Sequence, residues 1–296
     1  MKNFILGTDW WTDCDDAVAV RLITRFLKEG KLNLLGIGIN ACMEYSVASL
    51  KGFLLAEGVT NVPIGIDLAA TDFGRNPPYQ KRLAQRFCPD VTNADAEDAV
   101  RLYRRLLAEA TEPVEILEIG YPQVLSNALE SGPDDISPKT GYELFVEKVS
   151  KAWLMAGKWD VEGGRENNFC RNTRASHAAQ AFCERCPVPV TFLGYEIGYG
   201  VITGGELAPE DHLHQVLVDH GSENGRHSWD PMLVLLAIIG DEETAGYDTV
   251  TGTATVDGET GANHFDVNPQ GMHKYVVKKF DDTYYSDRIN AIIKSN

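Results

Sequence analysis

Four aspartates fall within eight positions near the start of the chain: Asp9, Asp13, Asp15 and Asp16. Carboxylates this close repel one another unless a cation sits among them or some are protonated. One aspartate before a helix is a common cap, but a cap needs one carboxylate, not four. The cluster therefore reads as a hard-metal site or a catalytic set, since Ca2+ and Mg2+ take oxygen ligands. Two later stretches carry residue types of the same kind. Lys158 to Thr173 is polar and aperiodic, with Asp160, Glu166, Asn167 and Asn168. It is either a solvated loop of turn formers or a comb of hydrogen-bonding groups for a polyhydroxylated ligand. Asp230, between Trp229 and Pro231, precedes an apolar run from Met232 to Ile239. Taken alone, it reads as a helix cap followed by a first-turn proline.

The elements around these residues place them together. The apolar run from Phe4 reads as a buried strand, and Ala17, Val18, Val20, Leu22 and Ile23 recur as a helix that Gly30 ends. The aspartates thus occupy a strand-to-helix loop, where open α/β sheets bind ligands and where a helix N-terminus favours negative charge. Leu32 to Ile39 is a second strand with Asn40 at its end, followed by a helix over Val47, Leu50, Phe53 and Leu54 and a strand at Val62 to Ile66. This alternation predicts an α/β fold with an open, mostly parallel sheet flanked by helices. Thr71 to Asn93 reads as a long polar excursion, and Ala96 to Ala110 as a helix. Val114 to Ile119 is a strand, then a helix holds Val124, Leu125 and Leu129. Phe145 to Met155 reads as helical with a short strand after it, Ala175 to Phe182 as a helix, Val188 to Leu193 as a strand, and Gly194 to Gly205 as a glycine-rich loop. Thr249 to Val256 and Tyr275 to Lys279 alternate like antiparallel strands, and Ser286 to Ile293 like a final helix.

The 296 residues carry a net charge of −16, with 44% hydrophobic and 24% charged residues. An acidic chain lacks the basic footprint that a nucleic-acid polymer needs, but a small neutral substrate is compatible with it. No apolar run is long enough to cross a membrane, and the first residues lack a signal peptide's apolar core. The six cysteines are scattered, which is no disulfide framework. Cys183 and Cys186 have the spacing of half a zinc site, without a second pair nearby. A single cytoplasmic domain over residues 1–296 with reduced thiols is expected.

Four stretches in order resemble the inosine–uridine-preferring nucleoside hydrolases. That family opens with a strand and then Asp-Thr-Asp-Pro-Gly-x-Asp-Asp-Ala. Here the stretch from Thr8 to Ala17 has the same ends and a longer middle. The family's Gly-Pro-Leu-Thr-Asn is matched loosely at Gly120 to Val124, its Ala-Glu-Phe-Asn at Arg165 to Asn168, and its His-Asp-Pro at Trp229 to Pro231. The resemblance spans most of residues 4 to 240. It implies a Rossmann-like nucleoside hydrolase fold, a homodimer or homotetramer, and Ca2+-dependent hydrolysis of an N-glycosidic bond to ribose and free base. By position the ion would be held by Asp9, Asp16, the carbonyl of Gln123 and Asp230. Asp15 and Glu166 would stabilise an oxocarbenium-like transition state. Asn40, Asp160 and Asn168 would hold the ribose hydroxyls, with Asp160 standing where the family has Asn.

Two departures bear on mechanism. The longer first motif leaves two candidates for the general base: Asp9 counted from the strand, or Asp13 counted back from Asp15 and Asp16. The strand fixes Asp9 better, which general-base work requires. Trp229 replaces the family's leaving-group acid. An indole is no such acid but can stack on a base, as Trp10 and Trp11 also can. His220 and His227 are its nearest replacements in sequence. The rival reading is a non-catalytic ribosyl- or metal-binding protein with a retained pocket. A Mg2+-dependent phosphatase is a weaker third, because no Lys or Arg lies between Phe4 and Val20.

Overall fold

A computed structural model describes residues 1–294. The strands are β1 (Lys2–Thr8), β2 (Leu32–Ile39), β3 (Ile64–Ile66), β4 (Glu97–Asp98), β5 (Val114–Glu118), β6 (Val149–Met155), β7 (Val190–Leu193), β8 (Ile202–Thr203), β9 (Arg226–His227), β10 (Tyr247–Val256), β11 (Asn263–Val267) and β12 (His273–Lys278). Ten of them form one sheet in the order β11-β10-β12-β7-β6-β5-β1-β2-β3-β4. From β12 to β4 all neighbours pair in parallel, and β10 alone runs the other way, between β11 and β12. β8 and β9 make a separate antiparallel ribbon.

β1 has β2 on one side and β5 on the other. The chain moves outward from β1 through β2, β3 and β4, then returns to build β5, β6 and β7 on the far side. That reversal is a topological switch point, where a crevice opens beyond the carboxyl ends of the strands. The ends here are level: the Asn40 N–H donates to the Thr8 carbonyl and the Ile119 N–H to the Gly7 carbonyl, both at 2.9 Å. Gly7 lets β5 approach, because a Cβ there would lie 2.0 Å from Glu118 Oε2.

Helices cover both faces of the sheet. One layer contains the helices Asp15–Lys28, Ser46–Ala56, Trp229–Ile239 and Asp282–Lys294, joined through Val18, Leu22, Phe53, Leu233, Leu236 and Ile289. The other contains Ala99–Glu109, Gln123–Glu130, Gly141–Lys148 and Thr173–Arg185, with Leu102, Leu125, Phe145 and Phe182 in its core. Helix Asp15–Lys28 is buried continuously from Asp15 to Thr24. That placement forces the carboxylates of its first turn into the interior at the end of β1.

Several expected elements differ. The polar excursion from Thr71 to Asn93 contains a helix, Pro78–Phe87, packed on Ser46–Ala56. Its apolar stripe is thin, Tyr79, Leu83 and Ala84, with Gln80 also buried. The stretch read as helical from Phe145 divides at Lys148, and Val149–Met155 is a central strand. The glycine-rich loop holds a short helical turn, Tyr195–Gly198, and β8. Helix His212–His220 and strand β11 had no counterpart in the sequence reading. The last helix starts at Asp282, four residues before the expected Ser286. All six cysteines are free thiols, and Cys183 and Cys186 are both buried.

Candidate active site

Asp9 directly follows Thr8, the last residue of β1, and the loop from it to the helix turns sharply. Trp10 and Thr12 take left-handed backbone conformations, φ 47° and 61°, which cost non-glycine residues free energy unless packing holds them. The packing around Trp10 is dense. It is fully buried against Phe53 and Tyr79. Its indole donates to Ser49 Oγ at 2.9 Å, and its carbonyl accepts from Gln80 Nε2 at 2.6 Å. Trp11 is held by its indole N–H on the Arg75 carbonyl at 2.6 Å. Both tryptophans thus anchor the loop.

The carboxylates converge. Oxygens of Asp15, Asp16 and Asp230 lie within 4.8 Å of one another. Asp16 is hydrogen-bonded by the Thr8 hydroxyl and, at 3.2 Å, by the Trp10 N–H. Asp9 Oδ1 accepts the Trp11 N–H at 3.0 Å, and Asp15 Oδ2 accepts the Asp230 N–H at 3.1 Å. Asp230 lies inside the first turn of helix Trp229–Ile239, whose cap position is Ser228, so it is not the cap the sequence suggests. Burial first, and then the neighbouring aspartates, hold the carboxyls of Asp9, Asp15, Asp16 and Asp230 well above the usual carboxylate range. Asp13 has a different environment. Arg226 grips it with two hydrogen bonds, 2.7 Å to Oδ1 and 2.5 Å to Oδ2.

These groups line a cavity of about 220 Å3 with Trp11, Thr12, Ile119, Met155, Glu166, Asn167, Asn168, Tyr195 and Trp229. Glu166 faces it from the cap position of a short helix, Asn167–Cys170. Its Oε1 accepts the Asn168 N–H at 2.8 Å and Oε2 the Gly157 N–H at 3.1 Å. Burial outweighs these bonds and pushes its carboxyl up to about 7. Asn168 donates its amide to the Met155 carbonyl at 2.8 Å, which leaves its Oδ1 as the group for a ligand hydroxyl. Tyr195 and Trp229 stack at 5.4 Å, and the Trp229 indole donates to the Tyr195 carbonyl at 2.7 Å.

Of the residues expected at the site, Asp9, Asp13, Asp15, Asp16, Glu166, Asn168, Trp229 and Asp230 line this cavity; Asn40, Asp160 and Gln123 do not. Asn40 is a clamp between strand ends. Its Nδ2 donates to Glu118 Oε1 at 2.8 Å, its Oδ1 accepts the Tyr121 N–H at 2.9 Å, and its carbonyl accepts from the Gln123 side chain. Asp160 is exposed and paired with Lys158 at 2.6 Å. Gln123 is buried at the start of its helix, and Ile119 is the residue of this strand end that reaches the cavity. Tyr195, Met155 and Ile119 carry no signal in the sequence, because each sits singly at or just past the end of a different strand. Glu118, the last residue of β5, reads in the sequence as an ordinary strand residue. It is buried, and burial pushes its carboxyl up to about 8.

No known family model matches the chain, and no curated protein matches it in sequence. Solved structures do match over the whole chain. A plant nucleoside hydrolase, the PpNRh1 enzyme, superposes with a TM-score of 0.74 at 15% identity, covering 100% of this chain and 99% of that one. The inosine-uridine preferring nucleoside hydrolase of Bacillus anthracis gives 0.68 at 15% identity, covering 99% of each. The type III effector protein XopQ, solved with adenosine diphosphate ribose, gives 0.71 at 14% identity, covering 99% and 93%. At these identities the likeness establishes the fold: the chain has the nucleoside hydrolase architecture from end to end.

Proposed function

We propose that this protein is a Ca2+-dependent N-ribohydrolase, which cleaves the N-glycosidic bond of a ribonucleoside or related N-riboside to ribose and free base. The observation that carries this reading is the meeting of four buried carboxylates, Asp9, Asp15, Asp16 and Asp230, in a cavity with no cationic side chain among its described lining residues. Such a set is unfavourable without a cation, and its donors are all oxygen, which suits Ca2+. The set therefore fits a hard divalent ion. When bound, the ion would lower the pKa of a water and orient a ribose diol.

The remaining work falls to the chain's own groups. Asp9, with Oδ1 fixed by the Trp11 N–H, takes the proton of the attacking water at its other oxygen. Asp13 is the poorer base, because both its oxygens are engaged by Arg226. Asn168 Oδ1 and Glu166 bind ribose hydroxyls, and Glu166 and Asp15 offset positive charge developing at C1′. The aromatic wall of Trp229 and Tyr195 excludes water from the departing base. The test is ribose release from a panel of nucleosides with added Ca2+ and with a chelator. Release that the chelator abolishes is expected. The second reading, a ribosyl-binding protein without turnover, draws on Trp229 in the acid position and on the ADP-ribose bound to XopQ. Tight ribosyl binding with no release from any N-riboside would establish it instead.

A further inference from the structure

Loss of a neutral base from C1′ leaves an electron pair and negative charge on the ring nitrogen. A proton supplied there contributes about 10²–10⁴-fold. The cavity has no imidazole, ammonium or thiol to supply it, and its carboxyls are engaged elsewhere. Among the described lining residues there is no His, Lys, Arg or Cys. The Trp229 indole N–H is bound to the Tyr195 carbonyl. His227 lies outside the lining, with its ring stacked on Tyr199 at 4.7 Å and its Nδ1 accepting the Gly200 N–H. His220 is also outside, with its nitrogens on Ser222 Oγ and the Thr12 carbonyl. The Thr12 hydroxyl and the Tyr195 phenol are weak acids. Of the carboxyls, Asp9, Asp15, Asp16 and Asp230 form the set that fits the ion, Asp13 is held by Arg226, and Glu166 accepts backbone N–H groups on both oxygens and faces the ribose hydroxyls in the proposed reaction.

The charge of the cavity points the same way. Six carboxylic side chains line it, and with Asp13 paired to Arg226 five remain against one divalent ion. The cations beside it are each engaged by other groups: Arg226 on Asp13, Lys158 on Asp160 at 2.6 Å, and Arg171 on the Phe73 carbonyl at 2.7 Å. Such a field opposes negative charge building on a leaving base and favours a ligand that arrives positive. The wall offers π-faces for it in Trp11, Tyr195 and Trp229. That these rings attract cations is visible within the protein, where Arg171 lies 4.9 Å over Trp11, Arg226 5.6 Å over Trp229 and Lys158 5.7 Å over Tyr195.

We infer that the preferred substrate is a cationic N-riboside of the pyridinium type, whose base leaves without being protonated. This rests on the N-ribohydrolase reading. The C1′–N bond breaks and its electron pair stays on the ring nitrogen, which quenches the positive charge and releases a neutral pyridine. The water oxygen bonds to C1′, and its proton passes to Asp9. Products are ribose, neutral base and one proton, so no acid is required.

The test compares kcat/KM of the Ca2+-loaded protein for four ribosides: the pyridinium riboside bearing a 3-carboxamide, inosine, uridine and 4-nitrophenyl β-D-riboside. The last has a leaving group that needs neither a proton nor a positive charge, so it reports the hydrolytic machinery alone. The expected result is a preference of about 100-fold or more for the pyridinium riboside over inosine and uridine. Inosine or uridine cleaved as fast overturns the inference, since an acid must then be at work. Cleavage of the nitrophenyl riboside but not of the pyridinium riboside also overturns it and leaves the hydrolase reading standing. No cleavage of any of the four removes both.

Discussion

Asp9 and Asp13 are four residues apart and have opposite surroundings. Asp9 is buried with one oxygen uncommitted to the backbone, whereas Asp13 is held on both oxygens by Arg226. Asp9→Asn should therefore lower ribose release by about 10²–10⁴-fold, the range for loss of a general base, while Asp13→Asn should cost less than about tenfold. Steady-state kinetics on both variants, with far-UV circular dichroism to verify folding, separates them. Equal losses would show that the loop insertion moved the base. At Trp229 the expected change is a gain. Trp229→His would place an imidazole beside the leaving group, so the ratio of inosine to pyridinium-riboside kcat/KM should rise by about tenfold or more. An unchanged ratio would mean that the indole position does not face the departing base.

At the scale of elements, a buried network joins three helices below the site. Arg21, from Asp15–Lys28, is paired with Glu57 at the end of Ser46–Ala56 and with Asp211 at 2.7 Å, and His212 Nε2 lies 2.6 Å from the same Glu57. Burial pushes the Glu57 carboxyl up, but His212 and Arg21 outweigh it and hold it below its ordinary value of 4.5. A depressed carboxylate stabilises the fold fully above that ordinary value and loses its effect as pH falls through the lower folded value. Glu57→Gln should cost about 3 kcal/mol at neutral pH, because it strips one partner from a buried guanidinium. The gap between variant and parent in urea unfolding should narrow as the pH falls below 4.5. A gap that stays constant with pH would argue against an ionised Glu57. These helices also mark how much could be read in the sequence. The central strands and Asp15–Lys28 announce themselves by continuous apolar runs, and the aspartate cluster is contiguous. Helix Pro78–Phe87 was hidden because its inner face buries Gln80 with a sparse apolar stripe. The family resemblance places Asp160 on the ribose hydroxyls, where the family has Asn, but its partner is Lys158, two residues away. Of the aromatic wall, Trp11 and Trp229 are legible as stacking residues, whereas Tyr195 comes from a loop far from both in sequence with no signal of its own.

For the molecule as a whole, four of the 43 acidic residues share one buried volume. A ligand that binds only the folded state stabilises it by about 2.7 kcal/mol at a hundred times its Kd. Added Ca2+ should therefore raise the thermal midpoint by about 5 °C, and a chelator should reverse the rise. Calorimetry with Mg2+ as comparison reads the ion's identity, and no shift with either ion would remove the metal from the site. The placement of β1 at the switch point has a further consequence, in the order of synthesis. Asp9, Asp15 and Asp16 leave the ribosome more than two hundred residues before Asp230. At about 5–20 residues per second, the nascent chain carries an incomplete ring of ligands for about 10–40 s. The ion cannot template the early sheet. It can only lock a fold that the strands and helices have already made.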